Sequence, residues 1–432
     1  MKVFLRTFGC RANHYDTEAV REMLDAAGHT VVASPAEADV AVFNSCAVTT
    51  EAEAELRKVV RRAARERPEL RSVVMGCAAA LDDQRPVALQ ARTLPSVERV
   101  VPGADLVALA DALDVPAALA LRGTVSQSST RALLRVQDGC DEHCTFCATR
   151  LARGVNRSRD GDTLVEEATR LAERHSEIVI TGIHIGSYGV DIGSTLGGLM
   201  TRLVREVPSA RFRLSSIEAT ELDEQLTELL VNAPEHLVPH VHAPLQSGSD
   251  AVLRRMGRHW YTAASYVRAV EELASRMEVL GLGADVIAGF PGETEADHRQ
   301  TVRLVEQLPF TYLHVFPYSP RPGTAATRLD APVSPVVAER RAAELRHLAA
   351  EKASAYAGAR VGGLADVVVV GRGGHREAMT GDYLTVAVGD VDAEPGERFV
   401  GVIERDASGG LAVRRSDGML TAYPQSSAQA IL

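Results

Sequence analysis

Six cysteines divide into two sets of three. Cys140, Cys144 and Cys147 share one loop, Asp138-Gly139-Cys140-Asp141-Glu142-His143-Cys144-Thr145-Phe146-Cys147. Cys10, Cys46 and Cys77 lie far apart, each closing an apolar stretch: Val3-Phe4-Leu5, Val40-Ala41-Val42-Phe43 and Val73-Val74-Met75. Four thiolates would complete an iron–sulfur cubane, whereas three hold three irons and leave the fourth open to another ligand. The chain therefore reads as an enzyme with two [4Fe-4S] clusters, each with a vacant iron. Plainer readings compete with this one. Close cysteines also bind zinc, but a structural zinc site wants four ligands. Here only His143 is near enough, and its place inside the three-residue spacer points it poorly. For the scattered set the alternative is three separately buried cysteines.

The elements around these residues argue for convergence. From residue 1 to about 120, strands near Val3–Thr7, Val31–Val32, Val40–Asn44, Ser72–Gly76 and Val97–Val101 alternate with helices near Asp16–Ala27 and Glu51–Glu66. Gly28 is placed as a residue just past a helix end and Pro68 as a helix stop. Such alternation predicts a parallel sheet with helices on its faces, and ligands at the carboxyl ends of the strands. Cys10, Cys46 and Cys77 all sit just past a predicted strand, so one sheet edge would gather them.

Residues Arg122–Thr130 read as a linker. A second series of strands follows, near Ala132–Val136, Glu177–Thr181, Arg211–Ser215, Leu237–His242, Gly283–Ala288 and Tyr312–Phe316. Helices are expected near Thr163–Arg174, Leu222–Val231, Ala263–Met277 and Ala296–Gln307, with a long one near Pro335–Ala357. Six such repeats predict an open (β/α)6 barrel, with chemistry at the carboxyl ends of its strands. From Val361 the pattern shifts to short strands and turns, as in a small antiparallel β-barrel. The expected domains of this α/β protein are 1–122, 131–358 and 361–418, with a tail over 419–432.

Composition is that of a soluble protein, 46% hydrophobic and 24% charged over 432 residues. No apolar leader opens the sequence, and no run approaches the about 20 residues of a membrane span. A cytoplasmic location is expected, where thiols stay reduced and free to bind metal. The net charge of −10 argues against a nucleic-acid partner, but its distribution does not. Arg57, Lys58, Arg61, Arg62 and Arg65 make a helical stripe; Arg150, Arg153, Arg157 and Arg159 follow the cysteine loop; Arg254, Arg255, Arg258 and His259 form a third group. Each alone reads as a solvated face. Three around a metal site read as the footprint of an anionic polymer.

Cys140-x₃-Cys144-x₂-Cys147 resembles the signature of the radical S-adenosylmethionine superfamily. The chain as a whole resembles the methylthiotransferases within it, which join a three-cysteine domain, a radical barrel and a C-terminal TRAM domain. The similarity runs through Thr7-Phe8-Gly9-Cys10-Arg11-Ala12-Asn13, Asn44-Ser45-Cys46-Ala47-Val48-Thr49, Gly76-Cys77 and Gln137–Cys147. It continues in Leu214-Ser215-Ser216-Ile217-Glu218, Pro244-Leu245-Gln246-Ser247-Gly248-Ser249-Asp250 and Gly289-Phe290-Pro291-Gly292-Glu293-Thr294.

The resemblance implies that Cys140, Cys144 and Cys147 hold the cluster that binds S-adenosylmethionine and cleaves it to a 5′-deoxyadenosyl radical. It implies that Cys10, Cys46 and Cys77 hold the cluster carrying the sulfur, and that a second S-adenosylmethionine gives the methyl group. A C–H bond becomes C–S–CH₃. Among cofactor contacts it suggests backbone groups at Gly182, a carboxylate partner in Arg157 or Arg159, hydrogen bonds from Glu218 and Gln246, and adenine support from the strand holding Ile287. His184 reads equally as a substrate contact or a structural histidine. Segments from Phe8 to Glu18, Asn44 to Glu53, Thr181 to Gly189 and His314 to Thr324 look most like the group acting on N6-threonylcarbamoyladenosine. The implied partners are the anticodon stem-loop of tRNA and a reductant such as flavodoxin or ferredoxin, with the chain a monomer.

The same chemistry on isopentenyl-type adenosine, or on an aspartate of a small-subunit ribosomal protein, is the alternative. A non-catalytic, metal-stabilised RNA-binding protein is the reading from another class. Two departures stand out. Ala148-Thr149-Arg150-Leu151 replaces the family's usual Ile-Ile-Pro-Tyr, and acids outnumber bases in the TRAM-like segment from Val361 to Arg415, where a nucleic-acid clamp should be basic.

Overall fold

A computed structural model describes residues 1–47, 50–82, 90–121, 124, 127–370, 376–389 and 392–416. Its first five strands form one sheet in the order Thr30–Val32, Lys2–Thr7, Val40–Ser45, Arg71–Gly76, Val97–Pro102. Every pairing is parallel. Val40–Ser45 is buried along its whole length, as a central strand covered on both faces must be. One face packs Val3, Val40, Val42 and Val73 against Val20, Met23 and Leu24 of helix Arg11–Ala26 and Leu109 of helix Leu106–Ala112. The other packs Ala41, Phe43 and Val74 against Leu56, Val60 and Ala63 of helix Thr50–Glu66, an i, i+4, i+7 stripe.

Two boundaries differ from the sequence reading. The first helix begins at Arg11 rather than Asp16, with Cys10 as its N-cap and no side-chain cap bond. A cysteine carries none of the usual N-cap oxygen, so the start was hidden. The linker does not hang free either. Thr124 donates to Glu167 Oε1 at 2.5 Å, Gln127 donates to the Leu133 carbonyl at 2.7 Å, and Ser128 donates to Glu18 Oε1 at 2.5 Å. Arg122, Gly123, Val125 and Ser126, and the expected tail over 419–432, lie outside the described residues.

The six central strands, Ala132–Arg135, Glu177–Thr181, Arg211–Leu214, His240–His242, Gly281–Ala288 and Tyr312–Pro317, run parallel in chain order. Between the third and fourth the ladder thins to two bridges, Phe212↔Leu237 and Ser216↔His242. Pro239 stands between those bridges, has no N–H to give, and shortens the strand expected over Leu237–His242. The barrel stays open between its first and last strands. Helix Arg11–Ala26 covers the first edge, where Arg135 pairs with Asp16. The long helix Pro335–Arg360 covers the last strand; Ser334 caps it and Pro335 opens it, where a missing N–H costs nothing. Helix Leu196–Glu206 was not foreseen.

The C-terminal strands close into a five-stranded barrel. Glu377–Thr380 is a strand the sequence pattern did not reveal. Four pairings are antiparallel, and Thr385–Val388 lies parallel to Leu411–Arg415. The small antiparallel barrel expected is present, with one parallel step because an odd ring cannot alternate direction at every step. No described helix is long and apolar enough to cross a membrane.

Candidate active site

Three glycines deliver three of the cysteines. Gly9, Gly76 and Gly139 precede Cys10, Cys77 and Cys140 with φ of +97°, +98° and +73°, a region glycine enters without steric cost. A Cβ on Gly9 would stand 2.6 Å from Cys46 Sγ, and one on Gly76 would strike Asn44 Oδ1 at 2.3 Å. The backbone beside Cys10 is thus already in contact with Cys46. Burial pushes the Cys77 thiol up to about 12, opposed by Arg153, with Cys10 and Cys46 near enough to raise it further. The sheet edge has gathered the three as its topology required.

Asn13 fastens this edge, a role the sequence did not disclose. Its Nδ2 donates to the carbonyls of Phe8 and Ser45, both at 2.9 Å. Its Oδ1 accepts from Arg153 at 2.7 Å and lies 3.7 Å from Cys77 Sγ. One buried amide thereby ties all three cysteine loops. Arg153 donates from Nε to Cys77 Sγ at 3.2 Å, and its other nitrogens reach Asp16 at 2.6 Å and Asp138 at 3.4 Å.

The second trio has its own arginine. Arg258 Nη1 donates to Cys144 Sγ at 3.4 Å, while Nη2 pairs with buried Glu218. Burial pushes the Cys144 thiol up to about 12 against the Arg258 charge. His184 Nδ1 lies 3.7 Å from Cys140 Sγ, and its Nε2 meets the Glu221 carboxylate at 2.8 Å. Burial would lower the imidazole, but the bonds to Cys140 and Glu221 raise it to about 10.

Helix Thr149–Arg153 connects the trios. The Thr149 amide donates to Cys147 Sγ at 3.4 Å at one end, and Arg153 touches Cys77 at the other. Five helical residues rise about 7.5 Å. One short helix thus touches a sulfur of each trio.

All six thiols are free. Around one zinc ion, bonds of about 2.3 Å would set sulfurs about 3.8 Å apart. Among the described residues, the sole trio of His, Cys, Asp or Glu with ligand atoms all within 4.8 Å is His242, Asp285 and His314. The cysteines are spread too widely to share one ion. Three thiols, a guanidinium against one sulfur, and that wider spacing suit an iron–sulfur core.

Inside the barrel, side chains stack in polar layers. Glu177 lies between Arg211 and Arg213 at the lowest level. Above it Tyr312 Oη stands 2.8 Å from His240 Nε2 and 3.0 Å from His242 Nδ1. Higher still, His242 Nε2 and His314 Nδ1 face Asp285 Oδ1 at 3.1 and 3.2 Å. Burial would raise the Asp285 carboxyl, but these two imidazoles hold it well below the usual range. Along the last two strands Asp285, Ile287, His314 and Phe316 alternate with buried Ala284, Val286 and Val315, so the former face the open interior.

The other expected contacts are placed as follows. Gly182 follows its strand where a Cβ would meet Gln137 at 2.9 Å, and the Gln137 side chain takes the amides of Ile183 and His184. Arg159 is engaged by Glu167 at 2.6 Å and Tyr15 at 3.0 Å, and Glu218 by Arg258. Arg157 is exposed, with its Nη2 on the Arg153 carbonyl at 3.1 Å. Gln246 takes φ +61° and bridges to the strand that carries Ile287. Of the three basic groups, Arg153, Arg159 and Arg258 are spent internally and Arg255 pairs with Asp330. The first group differs. Arg57, Lys58, Arg61 and Arg65 line a surface groove with Ala54 and Pro95.

Residues 2–93 match the family described as Uncharacterized protein family UPF0004, and residues 134–305 match the Radical SAM superfamily. The chain is 35% identical over 350 residues to Threonylcarbamoyladenosine tRNA methylthiotransferase MtaB of Thermotoga maritima, covering 76% of this chain and 77% of that protein. It is 34% identical over 390 residues to the protein of the same name in Bacillus subtilis, covering 82% of each. It is also 34% identical over 399 residues to tRNA-2-methylthio-N(6)-dimethylallyladenosine synthase of Parafrankia, covering 87% and 79%. Among solved structures, the radical S-adenosylmethionine methyltransferase TsrM of Kitasatospora setae superposes with a TM-score of 0.51 at 15% identity, over 73% and 72% of the chains. That likeness concerns the fold alone.

Proposed function

The chain belongs to the radical S-adenosylmethionine methylthiotransferases that modify tRNA, and from that premise we propose that it methylthiolates carbon 2 of N6-threonylcarbamoyladenosine beside the anticodon. In this reading Cys140, Cys144 and Cys147 would hold the cluster that binds S-adenosylmethionine, and Cys10, Cys46 and Cys77 the cluster that carries sulfur. When bound, the first supplies the electron that opens the sulfonium and the second supplies the sulfur.

The rest falls to the protein. Arg153 and Arg258 each set a positive charge and an N–H against one sulfur of a trio, which favours the thiolate over the thiol. Asp16 and Glu218 hold those guanidinium groups in place. Gly182, Gln246 and Ile287 line the strand ends where the nucleoside of S-adenosylmethionine would lie, with exposed Arg157, rather than the internally paired Arg159, the expected partner of its carboxylate. The groove of Arg57, Lys58, Arg61 and Arg65 would take the phosphates of the anticodon stem-loop. A cytoplasmic monomer served by flavodoxin or ferredoxin completes the proposal.

The observation that carries it is the short helix joining Cys147 to Cys77 through Arg153. In this reading it would link the site of radical formation to the site of sulfur delivery. The test is nucleoside mass spectrometry of tRNA from a strain lacking this gene. The methylthio form of N6-threonylcarbamoyladenosine should vanish, return with the intact gene, and not return with Cys46→Ala. If ribosomal protein or dimethylallyladenosine loses its methylthio group instead, the substrate assignment is wrong.

A further inference from the structure

Arg11 follows Cys10 directly, at the first turn of helix Arg11–Ala26. It is half-buried, and among the described residues its one hydrogen bond goes from Nη2 to the Tyr383 hydroxyl at 3.1 Å. No described carboxylate lies within 4 Å of it, although buried or half-buried Arg135, Arg153, Arg159, Arg211, Arg213 and Arg258 are all paired with acids. A half-buried guanidinium without an anion is an incomplete arrangement.

Its surroundings show what it faces. The Tyr383 ring stacks on His240 at 4.4 Å and lies 5.2 Å from Tyr312. The Arg11 charge is felt at both His240 and Tyr312. Arg11 therefore stands at the open side of the barrel, facing the polar interior. Just above, Asp285 is covered by the N–H groups of His242 and His314, and more than half of the His314 side chain is exposed. This wall suits a polar substituent and would waste its hydrogen bonds on a hydrocarbon one.

The relatives' two substrates differ in one group. The dimethylallyl substituent is pure hydrocarbon, whereas the threonylcarbamoyl substituent ends in a carboxylate. On adenine, carbon 2 and carbon 6, which bears N6, flank N1, so carbon 2 and the N6 group lie on one edge of the base. A residue that reads the N6 group should then stand within a side-chain length of the sulfur donor, and Arg11 adjoins Cys10.

We propose that Arg11 binds the threonyl carboxylate of the substrate and so makes this chain select N6-threonylcarbamoyladenosine over N6-dimethylallyladenosine. Tyr383, from the C-terminal barrel, is its positioning residue. The inference rests on the function proposed above. A bidentate arginine–carboxylate pair is directional as well as charged, and hydrogen bonds to charged groups are worth a tenfold or larger change in affinity.

The test uses the full, reconstituted chain and three anticodon stem-loop RNAs, carrying N6-threonylcarbamoyladenosine, its carboxylate methyl ester, or unmodified adenosine. The wild type should bind the carboxylate RNA at least about tenfold more tightly than the other two. Arg11→Gln should erase that preference, leave the affinity for unmodified RNA unchanged, and keep the iron content. Arg11→Lys should restore part of it, and Tyr383→Phe should raise KM for the carboxylate RNA with kcat largely kept. If the wild type is active on the carboxylate RNA and Arg11→Gln keeps the preference, this assignment is overturned while the proposed function stands. If the wild type neither prefers nor modifies that RNA, both fall.

Discussion

At the scale of single residues the two trios share one design, a guanidinium held by a buried acid and aimed at one sulfur. For Arg258 the acid is Glu218 and the sulfur belongs to Cys144. Burial raises the Glu218 carboxyl even beside that guanidinium. Replacing Arg258 with glutamine would thus let Glu218 take up a proton and leave the local charge balanced. What is lost is the N–H on sulfur, which stabilises the reduced, more negative cluster more than the oxidised one. The cluster potential should fall on the order of 50 mV, the equivalent of one such bond for a one-electron couple. A redox titration followed by electron paramagnetic resonance measures it, and an unchanged potential would remove Arg258 from this role. Neither Arg153 nor Arg258 was legible as a sulfur partner, because Cys77 and Cys144 lie 76 and 114 residues away. The runs of arginine around them looked instead like surface for an anionic polymer. The cysteines were legible because the βα pattern itself states that a residue just past a strand belongs to the sheet edge.

At the scale of elements, the C-terminal barrel is welded to the base of the central one through Glu177. Arg211 and Arg213 pair with that carboxylate and donate to the carbonyls of Asp366, Thr380 and Gly381. Burial pushes the Glu177 carboxyl up, but Arg213 and Arg211 overcome it and hold it well below the usual range. Folding therefore favours the ionised form. Its contribution is full above the roughly 4.3 of an unfolded glutamate and is lost as pH falls toward the folded value. Glu177→Gln leaves buried Arg213 without a counter-charge and Arg211 with Asp366 alone, a cost of about 3–5 kcal/mol. Urea unfolding at neutral pH should show that loss, and the variant's stability should vary less with pH below about 5 than the wild type's. Equal stability of the two at neutral pH would contradict the weld. None of this could be read from strand patterns, since arginines inside strands look like exposed positions until the partner across the interface is known. The strand Glu377–Thr380 was missed for a related reason: its four residues, Glu-Ala-Met-Thr, have no strong alternation, and its place is set by neighbours on both sides. Central strands such as Glu177–Thr181 and Gly281–Ala288 were legible as largely apolar runs set among helical stretches.

At the scale of the whole molecule, three units converge on one interior: the sheet edge brings Cys10 and Arg11, the barrel brings Cys140, Cys144 and Cys147, and the C-terminal barrel brings Tyr383. The chain carries an excess of acid, −10 overall, yet the groove on helix Thr50–Glu66 is basic. Arg57, Arg61 and Arg65 have no described carboxylate within 4 Å, while Lys58 shares Glu55 at 3.9 Å. Reversing Arg57, Arg61 and Arg65 to glutamate should weaken tRNA binding regardless of the modified base. It should also flatten the salt dependence, by a slope of about 0.7 to 0.9 for each phosphate no longer neutralised; an unchanged slope would place the RNA elsewhere. The account as a whole depends on two separate inorganic cores in one polypeptide. Iron and acid-labile sulfide, counted after oxygen-free reconstitution, test this most directly in the wild type and in two variants, each with one trio changed to alanine. About eight irons in the wild type and about four in each variant is the predicted result. About four irons in the wild type, or a full complement in either variant, would contradict it.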